Sequence, residues 1–131
     1  MRKASKRRGA FTLVEIMIVV AIIAFLTAVA VAGFIRARKQ AQATRVLDDL
    51  RLLDAAVEQY AVETGRTTGA SINFDDLKGY LKANQLLYNT GKDILGHDFG
   101  PFAVDQYPIV PTLTFEALSD VAGVDFWSPY M

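Results

Sequence analysis

Residues 16–35 form an unbroken run of uncharged, largely apolar side chains, IMIVVAIIAFLTAVAVAGFI. As an α-helix this run is about 30 Å long, which is the hydrocarbon thickness of a bilayer. A buried core helix is one alternative, but a chain of 131 residues could hardly enclose a helix that is apolar on every face. A cleaved secretory signal is another, since Ala28-Val29-Ala30 fits its cleavage pattern. The run exceeds an ordinary signal core, and Glu15 directly precedes it, so we favour a membrane span.

Basic residues are concentrated ahead of this run. Five Lys and Arg residues precede Gly9 without any acidic residue, although the whole chain has no net charge. A nucleic-acid-binding protein would instead carry a basic patch on a folded surface, so we expect no nucleic-acid partner. Five basic residues precede the run and four follow it closely, so the excess of positive charge favours a cytoplasmic N-terminus.

Catalytic chemistry finds little support in the composition. The chain has no Cys and one His, which excludes a disulfide framework or a thiolate metal site and argues against a zinc site built on His. His97 has no nearby Ser that would form an obvious relay, and no Gly-rich phosphate loop follows a strand. We therefore interpret His97 as a turn residue and predict no catalytic residue.

After the apolar run, an amphipathic helix is indicated by apolar residues that recur at steps of three and four: Val46, Leu50, Leu53, Val57 and Tyr60. No Pro interrupts residues 11–63, and Gly65 is typical of a helix terminator, so one continuous helix is predicted, with Gly33 as its weakest interior point. The apolar stripe either packs against a C-terminal domain or forms a coiled coil with another subunit. We favour packing, because residues 66–131 are too few to build a core easily alone.

The predicted head, residues 66–131, combines short helices and strands. Asn73 is the expected N-cap of a helix through about Lys82, and Thr114 that of a helix over 115–121. Turns are expected at 89–91 and 96–101, and strands at 102–104 and 109–110 are predicted to pair as an antiparallel hairpin. The aromatic tail, 126–130, is expected to dock on the head. The fold class is therefore α+β, with one long N-terminal helix packed on a small head.

The N-terminal segment Arg7-Arg8-Gly9-Ala10-Phe11-Thr12-Leu13-Val14-Glu15, followed at once by the apolar run, resembles the class III signal of type IV pilins and type II secretion pseudopilins. In that family a basic leader ends in Gly, and the mature chain begins Phe-Thr-Leu-x-Glu. The resemblance is close over residues 7–65 and weak beyond them. It implies a leader that a prepilin peptidase removes, and N-methylation of the new terminal amine.

Ala10 departs from the family pattern, because it stands between Gly9 and Phe11. A cut after Gly9 places Glu15 sixth in the mature chain, whereas a cut after Ala10 keeps it fifth and makes Phe11 the methylated residue. We prefer the second. A carboxylate at the edge of hydrocarbon is costly and needs a partner. The terminal amine of a neighbouring subunit can supply it, which makes Glu15 the expected assembly residue; solvation at the headgroup level is the alternative.

Two further family features are missing. Ala32-Gly33 stands where the family has a Pro in the span, which leaves any local melting to Gly33. The acidic loop that binds calcium in many pseudopilins cannot be aligned, although scattered acids make such a site conceivable: Asp93, Asp98, Asp105, Asp120 and Asp125. Calcium needs six to eight convergent oxygens, so we expect no metal and no other cofactor.

The resemblance implies a structural subunit, not an enzyme, with a leader at 1–10, a span at 11–35, an amphipathic half-helix at 36–65 and a head at 66–131. Such a subunit is held in a bacterial inner membrane with its head in the periplasm, and polymerises with copies of itself and other pilin-like subunits. Its further partners are the prepilin peptidase, an inner-membrane assembly platform and the lipid bilayer. We favour a type II secretion pseudopilin. A type IV pilus or competence pilin, and a monomeric membrane-tethered binding domain, are the alternatives.

Overall fold

The computed structural model describes residues 9–83 and 85–131. Contacts divide the chain into two compact units, one ending at Ile35 and the other comprising Arg36–Met131. One long helix and a small head with a two-stranded sheet and short helices confirm the predicted fold class. The elements in chain order are α1 (Leu13–Thr64), β1 (Ser71–Ile72), α2 (Phe74–Leu77), α3 (Leu86–Thr90), β2 (Phe102–Ala103), α4 (Thr112–Leu118) and α5 (Val124–Trp127).

Helix α1 runs without a break from Leu13 to Thr64, Gly33 included, in agreement with the continuous helix predicted over residues 11–63. It ends where Gly65 adopts a positive φ of 60° and its N–H donates to the Ala61 carbonyl oxygen. Since glycine adopts a left-handed backbone without the steric cost of a Cβ, Gly65 terminates the helix as the sequence indicates.

The core of the second unit is built on the apolar stripe of α1. All five residues of the predicted stripe are buried, and Val46, Leu50 and Leu53 have no exposed surface. They belong to one hydrophobic cluster with head residues that include Leu77, Leu87, Val104, Leu118 and Trp127. Packing against the head is therefore confirmed as the role of the stripe.

The two-stranded sheet is antiparallel, but its strands are not those predicted. Phe102–Ala103 pairs with Ser71–Ile72, in the register Ser71 with Ala103 and Ile72 with Phe102. The predicted partner at 109–110 is wrong. Asp105 has a positive φ of 59° in the turn that follows β2, and the Val110 N–H donates instead to the Tyr130 carbonyl oxygen at 2.9 Å. A strand of two residues carries too little alternation to be recognised from its sequence.

The short helices differ from prediction mainly at their ends. Asn73 precedes α2, where its N–H donates to the Asp76 carboxylate at 3.4 Å, and a 3₁₀ turn at Lys78–Tyr80 then ends the helical segment before Lys82. The predicted turn at 89–91 is the end of α3, a helix that the sequence interpretation missed. The docking of the aromatic tail is confirmed, since Trp127 is fully buried in α5 and its indole N–H donates to the Ala122 carbonyl oxygen.

Thr114 is not a helix cap, because α4 begins earlier, at Thr112, after Pro111. Its side chain is completely buried and its hydroxyl donates to the carboxylate of Asp93, which is also buried. The other Asp93 oxygen accepts the backbone N–H groups of Leu95 and His97, both at 2.9 Å. One carboxylate thus closes the 93–97 loop on itself and fastens it to α4.

The burial pattern of α1 predicts that Leu53→Ala destabilises the head far more than Leu52→Ala. Leu53 is fully buried, whereas Leu52 is 44% exposed one position away on the same helix. We expect a loss of about 2–5 kcal/mol in the free energy of unfolding for the buried site. For the exposed site we expect a change of about 0.5 kcal/mol or less.

Denaturant titration of the full chain in detergent micelles measures both values, because Trp127 is the single Trp and reports on the head. Equal losses for the two variants would contradict the assignment of the buried face.

The Asp93 contacts predict that Thr114→Val costs about 1–3 kcal/mol, since it removes the hydroxyl from a buried carboxylate while keeping the side-chain shape. Thr112→Val is the matched control, because Thr112 is exposed in the same helix. The same fluorescence titration compares the two variants. A Thr114→Val protein as stable as the control would show that the Asp93 hydrogen bond does not hold the loop.

Candidate functional site

The first turn of α1 contains a reciprocal pair of hydrogen bonds between Thr12 and Glu15. The Thr12 N–H donates to Glu15 Oε2 at 3.2 Å, and the Glu15 N–H donates to Thr12 Oγ1 at 3.3 Å. This is a capping box, in which two otherwise unpaired backbone donors at a helix start are satisfied by side chains. The Thr-x-x-Glu spacing is its sequence signature, which the interpretation of Glu15 as an assembly residue overlooked.

The capping box fixes the position of the Glu15 carboxylate without using all of its capacity. A carboxylate has about four lone-pair sites, and the Thr12 N–H occupies one of them. The helix dipole also favours a negative charge at this end. Glu15 is therefore held at the N-terminus of α1, and its carboxylate can still accept a hydrogen bond from a cation.

Residues 9–12 precede the helix and have no regular secondary structure. Gly9, Ala10 and Phe11 are all exposed, Phe11 by 81%. A peptidase needs an accessible, non-helical backbone, and both candidate cuts, after Gly9 or after Ala10, fall in this segment. A Cβ built on Gly9 meets no atom within 4 Å, so the fold of the chain imposes no requirement for Gly at this position. The remainder of the predicted leader, residues 1–8, lies outside the described residues.

The apolar run is exposed along its entire length, and the buried residues of α1 begin only at Ala43. Among the described residues, α1 is the one helix that is long and apolar enough to cross a membrane. The exposure of these side chains does not support the interpretation of this run as a buried core helix.

His97 lies beside Thr114, with its Nδ1 atom 2.6 Å from Thr114 Oγ1. Because the single hydroxyl proton of Thr114 goes to Asp93, the imidazole must donate from Nδ1 and cannot accept a proton from Thr114 there. Thr114 is also buried, so it cannot approach a substrate as a nucleophile. The geometry fits the prediction of His97 as a turn residue.

The acids considered for calcium lie in separate contacts. Asp98 pairs with Lys92 at 3.0 Å, Asp105 accepts the Thr68 hydroxyl at 2.5 Å, and Asp120 pairs with Lys39 at 2.9 Å. The Lys39 hydrogen bond lowers the pKa of Asp120. Over residues 9–83 and 85–131, no three His, Cys, Asp or Glu side chains converge as a metal site would require.

Comparison with known families gives a match in the N-terminal segment. The family model described as the prokaryotic N-terminal methylation motif matches residues 5–31. No curated protein and no solved structure shows significant similarity to the chain. The matched residues include the exposed segment 9–11, the capping box and most of the exposed run. The match therefore shows an N-terminal methylation motif in this part of the chain.

Proposed function

We propose that this chain is the structural subunit of a thin helical filament, a pseudopilin of a type II secretion system. The observation that carries the proposal is the exposed apolar surface of residues 16–35, in a chain whose second unit has its own core. That surface suits lipid before assembly. It also suits the axis of a filament, where helices from many copies cover one another.

Processing comes first in this proposal. The prepilin peptidase cuts in the exposed 9–11 segment on the cytoplasmic side and methylates the amine of Phe11. The chain then remains in the inner membrane by its span, with the head in the periplasm, as the five basic residues ahead of the run favour. An assembly platform in the same membrane would add it to a filament of identical and related subunits.

The Glu15 carboxylate supplies the specific contact in the filament core. Insertion scales put a charge in the centre of a bilayer at about 2.5–3.5 kcal/mol, so a carboxylate near hydrocarbon gains from a cationic partner. The amine of a processed neighbour offers one, and pairing it with Glu15 neutralises two charges at once. Within its own chain the carboxylate is held by the Thr12 N–H, which orients it for this contact.

The pseudopilin is preferred to a pilus or competence pilin by analogy. The head is small and the chain lacks the paired cysteines that are common in pilins. A monomeric membrane-tethered domain would use the same span only as an anchor. Shearing of whole cells separates the filament-forming alternatives from the tethered domain, since it releases a polymer from a filament-forming protein and nothing from a tethered one.

Glu15→Gln tests the charge at the assembly site separately from the helix cap. Gln at this position of a capping box still accepts the Thr12 N–H but carries no negative charge. We expect normal leader removal and membrane insertion, and at least about a tenfold loss of sheared filaments, as removal of one partner from a desolvated ion pair implies. Immunoblotting and electron microscopy of the sheared fraction measure the loss.

Thr12→Val is the matched control, because it removes the hydroxyl of the capping box and leaves the carboxylate. We expect it to assemble. Normal filaments from Glu15→Gln together with none from Thr12→Val would show that Glu15 acts as a cap and would overturn the pairing.

N-terminal sequencing of the mature protein determines the processing register. We expect methylated Phe11 as the first residue, which makes Glu15 the fifth. Replacing Gly9 and Ala10 together with Leu should block cleavage, since both candidate cuts then follow a bulky residue. Leu at Gly9 alone should leave the cut after Ala10 available. A mature chain that begins with Ala10 would instead place the cut after Gly9.

A further inference from the structure

The charges of α1 beyond the apolar run are segregated by sign. Residues 36–45 contain four basic side chains and no acid, and residues 46–64 contain five acids and a single Arg. We name these the basic segment (Arg36, Arg38, Lys39 and Arg45) and the acidic segment (Asp48, Asp49, Asp54, Glu58 and Glu63). Two patches of opposite sign on one helix are complementary to those of a second copy displaced along the helix axis.

Part of the acidic segment lines a groove on the head. Asp54 and Glu58 of α1 face Asp105, Gln106 and Tyr107 from the loop after β2, around a cavity of about 240 Å³ that Val57 completes. The Thr68 hydroxyl holds Asp105 in place at 2.5 Å. We call this cavity the acidic groove.

The charges of the acidic groove are not neutralised by the surrounding protein. Partial burial, followed by the neighbouring Glu58 carboxylate, raises the pKa of Asp54, and the Tyr130 hydroxyl at 3.4 Å only partly opposes this. Within the described residues, no Lys or Arg nitrogen lies within 4.0 Å of the carboxylates of Asp54, Glu58 or Asp105. A cation that entered the groove would therefore be favoured.

Some of the positive charges of the basic segment also have no ion-pair partner among the described residues. Lys39 pairs with Asp120 at 2.9 Å, and Arg45 lies 3.6 Å from Asp49. Arg36 and Arg38 are exposed, and in the described part of the chain no carboxylate lies within 4.0 Å of either. Arg36 lies close enough to Asp120 to contribute to the lowered pKa of that carboxyl. Over the described residues, each copy thus presents Arg38 and an acidic groove without an ion-pair partner.

We propose that the acidic groove receives Arg38 of a second copy of this chain, an inference that rests on the proposed filament. A guanidinium forms paired hydrogen bonds with carboxylates and stacks on aromatic rings, so Asp54, Glu58 and the exposed ring of Tyr107 suit it better than they suit an ammonium group. Because each copy offers both halves at different places, the contact is heterologous and builds an open filament and not a closed dimer.

The groove contact is available to copies that are displaced along the filament axis but not to copies that lie side by side in a bilayer. In a bilayer the spans lie at a common depth, so the basic segments of neighbouring copies face each other and repel. Bringing Arg38 opposite residues 54–58 requires an axial displacement of about 24–30 Å, at 1.5 Å per residue. The pairing of Glu15 with the amine of Phe11 requires only about 6 Å. The groove contact therefore joins a subunit to a more distant neighbour along the filament.

Cysteine cross-linking tests the contact directly, because the natural chain has no Cys. Residues 38 and 58 of one helix are about 30 Å apart, too far for a short cross-linker within a copy. A chain carrying both Arg38→Cys and Glu58→Cys should give a ladder of cross-linked oligomers when sheared filaments are treated with a short bis-maleimide, which spans the length of the two side chains that the cysteines replace. Each single-cysteine variant should give no ladder, and at most a dimer.

Charge reversal provides the second measurement. Glu58→Arg should reduce sheared filaments at least about tenfold, as like charges brought together at an interface imply. Glu116→Arg is the control, an exposed acid on α4 outside the groove. An unchanged midpoint of Trp127 fluorescence in denaturant shows that Glu58→Arg is folded.

The two hypotheses fail differently. If wild-type cells yield no sheared filament, the proposed function fails and the groove contact with it. If wild-type filaments form and Glu15→Gln abolishes them, but the double-cysteine chain gives no ladder and Glu58→Arg assembles normally, the groove contact alone is overturned.

Discussion

Everything in this chain depends on how the apolar side chains of α1 are covered. From Ala43 onward the stripe is buried in the core of the second unit, and the side chains of residues 16–35 are exposed. Apolar surface of this extent is strongly unfavourable in water. Lipid suits such a surface, and in the proposed filament the helices of other copies would cover it. The methylation motif at residues 5–31 coincides with this uncovered part.

The parts of the fold that could be predicted are those with a local pattern in the sequence. The stripe at Val46, Leu50, Leu53, Val57 and Tyr60 repeats over four helical turns, and its burial follows from that period alone. Gly65 and the aromatic tail carry equally local signals. The sheet could not be predicted in the same way, because each strand has only two residues. The pairing of Ile72 with Phe102 also joins segments that are separated in the sequence by α2, a 3₁₀ turn and α3. Its register is fixed by tertiary packing.

Two polar residues show why site prediction was incomplete. The position of Thr114 ahead of an expected helix predicts a cap, but burial against Asp93 gives its hydroxyl a different acceptor. The spacing of Thr12 from Glu15 is that of a capping box. The first contact cannot be found without the tertiary structure. The second can be read from the Thr-x-x-Glu spacing of the sequence.

The two uses of Glu15 are compatible because they draw on different properties of one carboxylate. Capping needs an oxygen acceptor at the third position of the helix, which glutamine also supplies. Pairing with an amine needs the negative charge and a free lone pair. A side chain already ordered by the Thr12 N–H loses less conformational entropy when the amine arrives. The capping box would therefore strengthen the proposed intermolecular contact, and the residue that caps the first turn of α1 is also the one suited to make that contact.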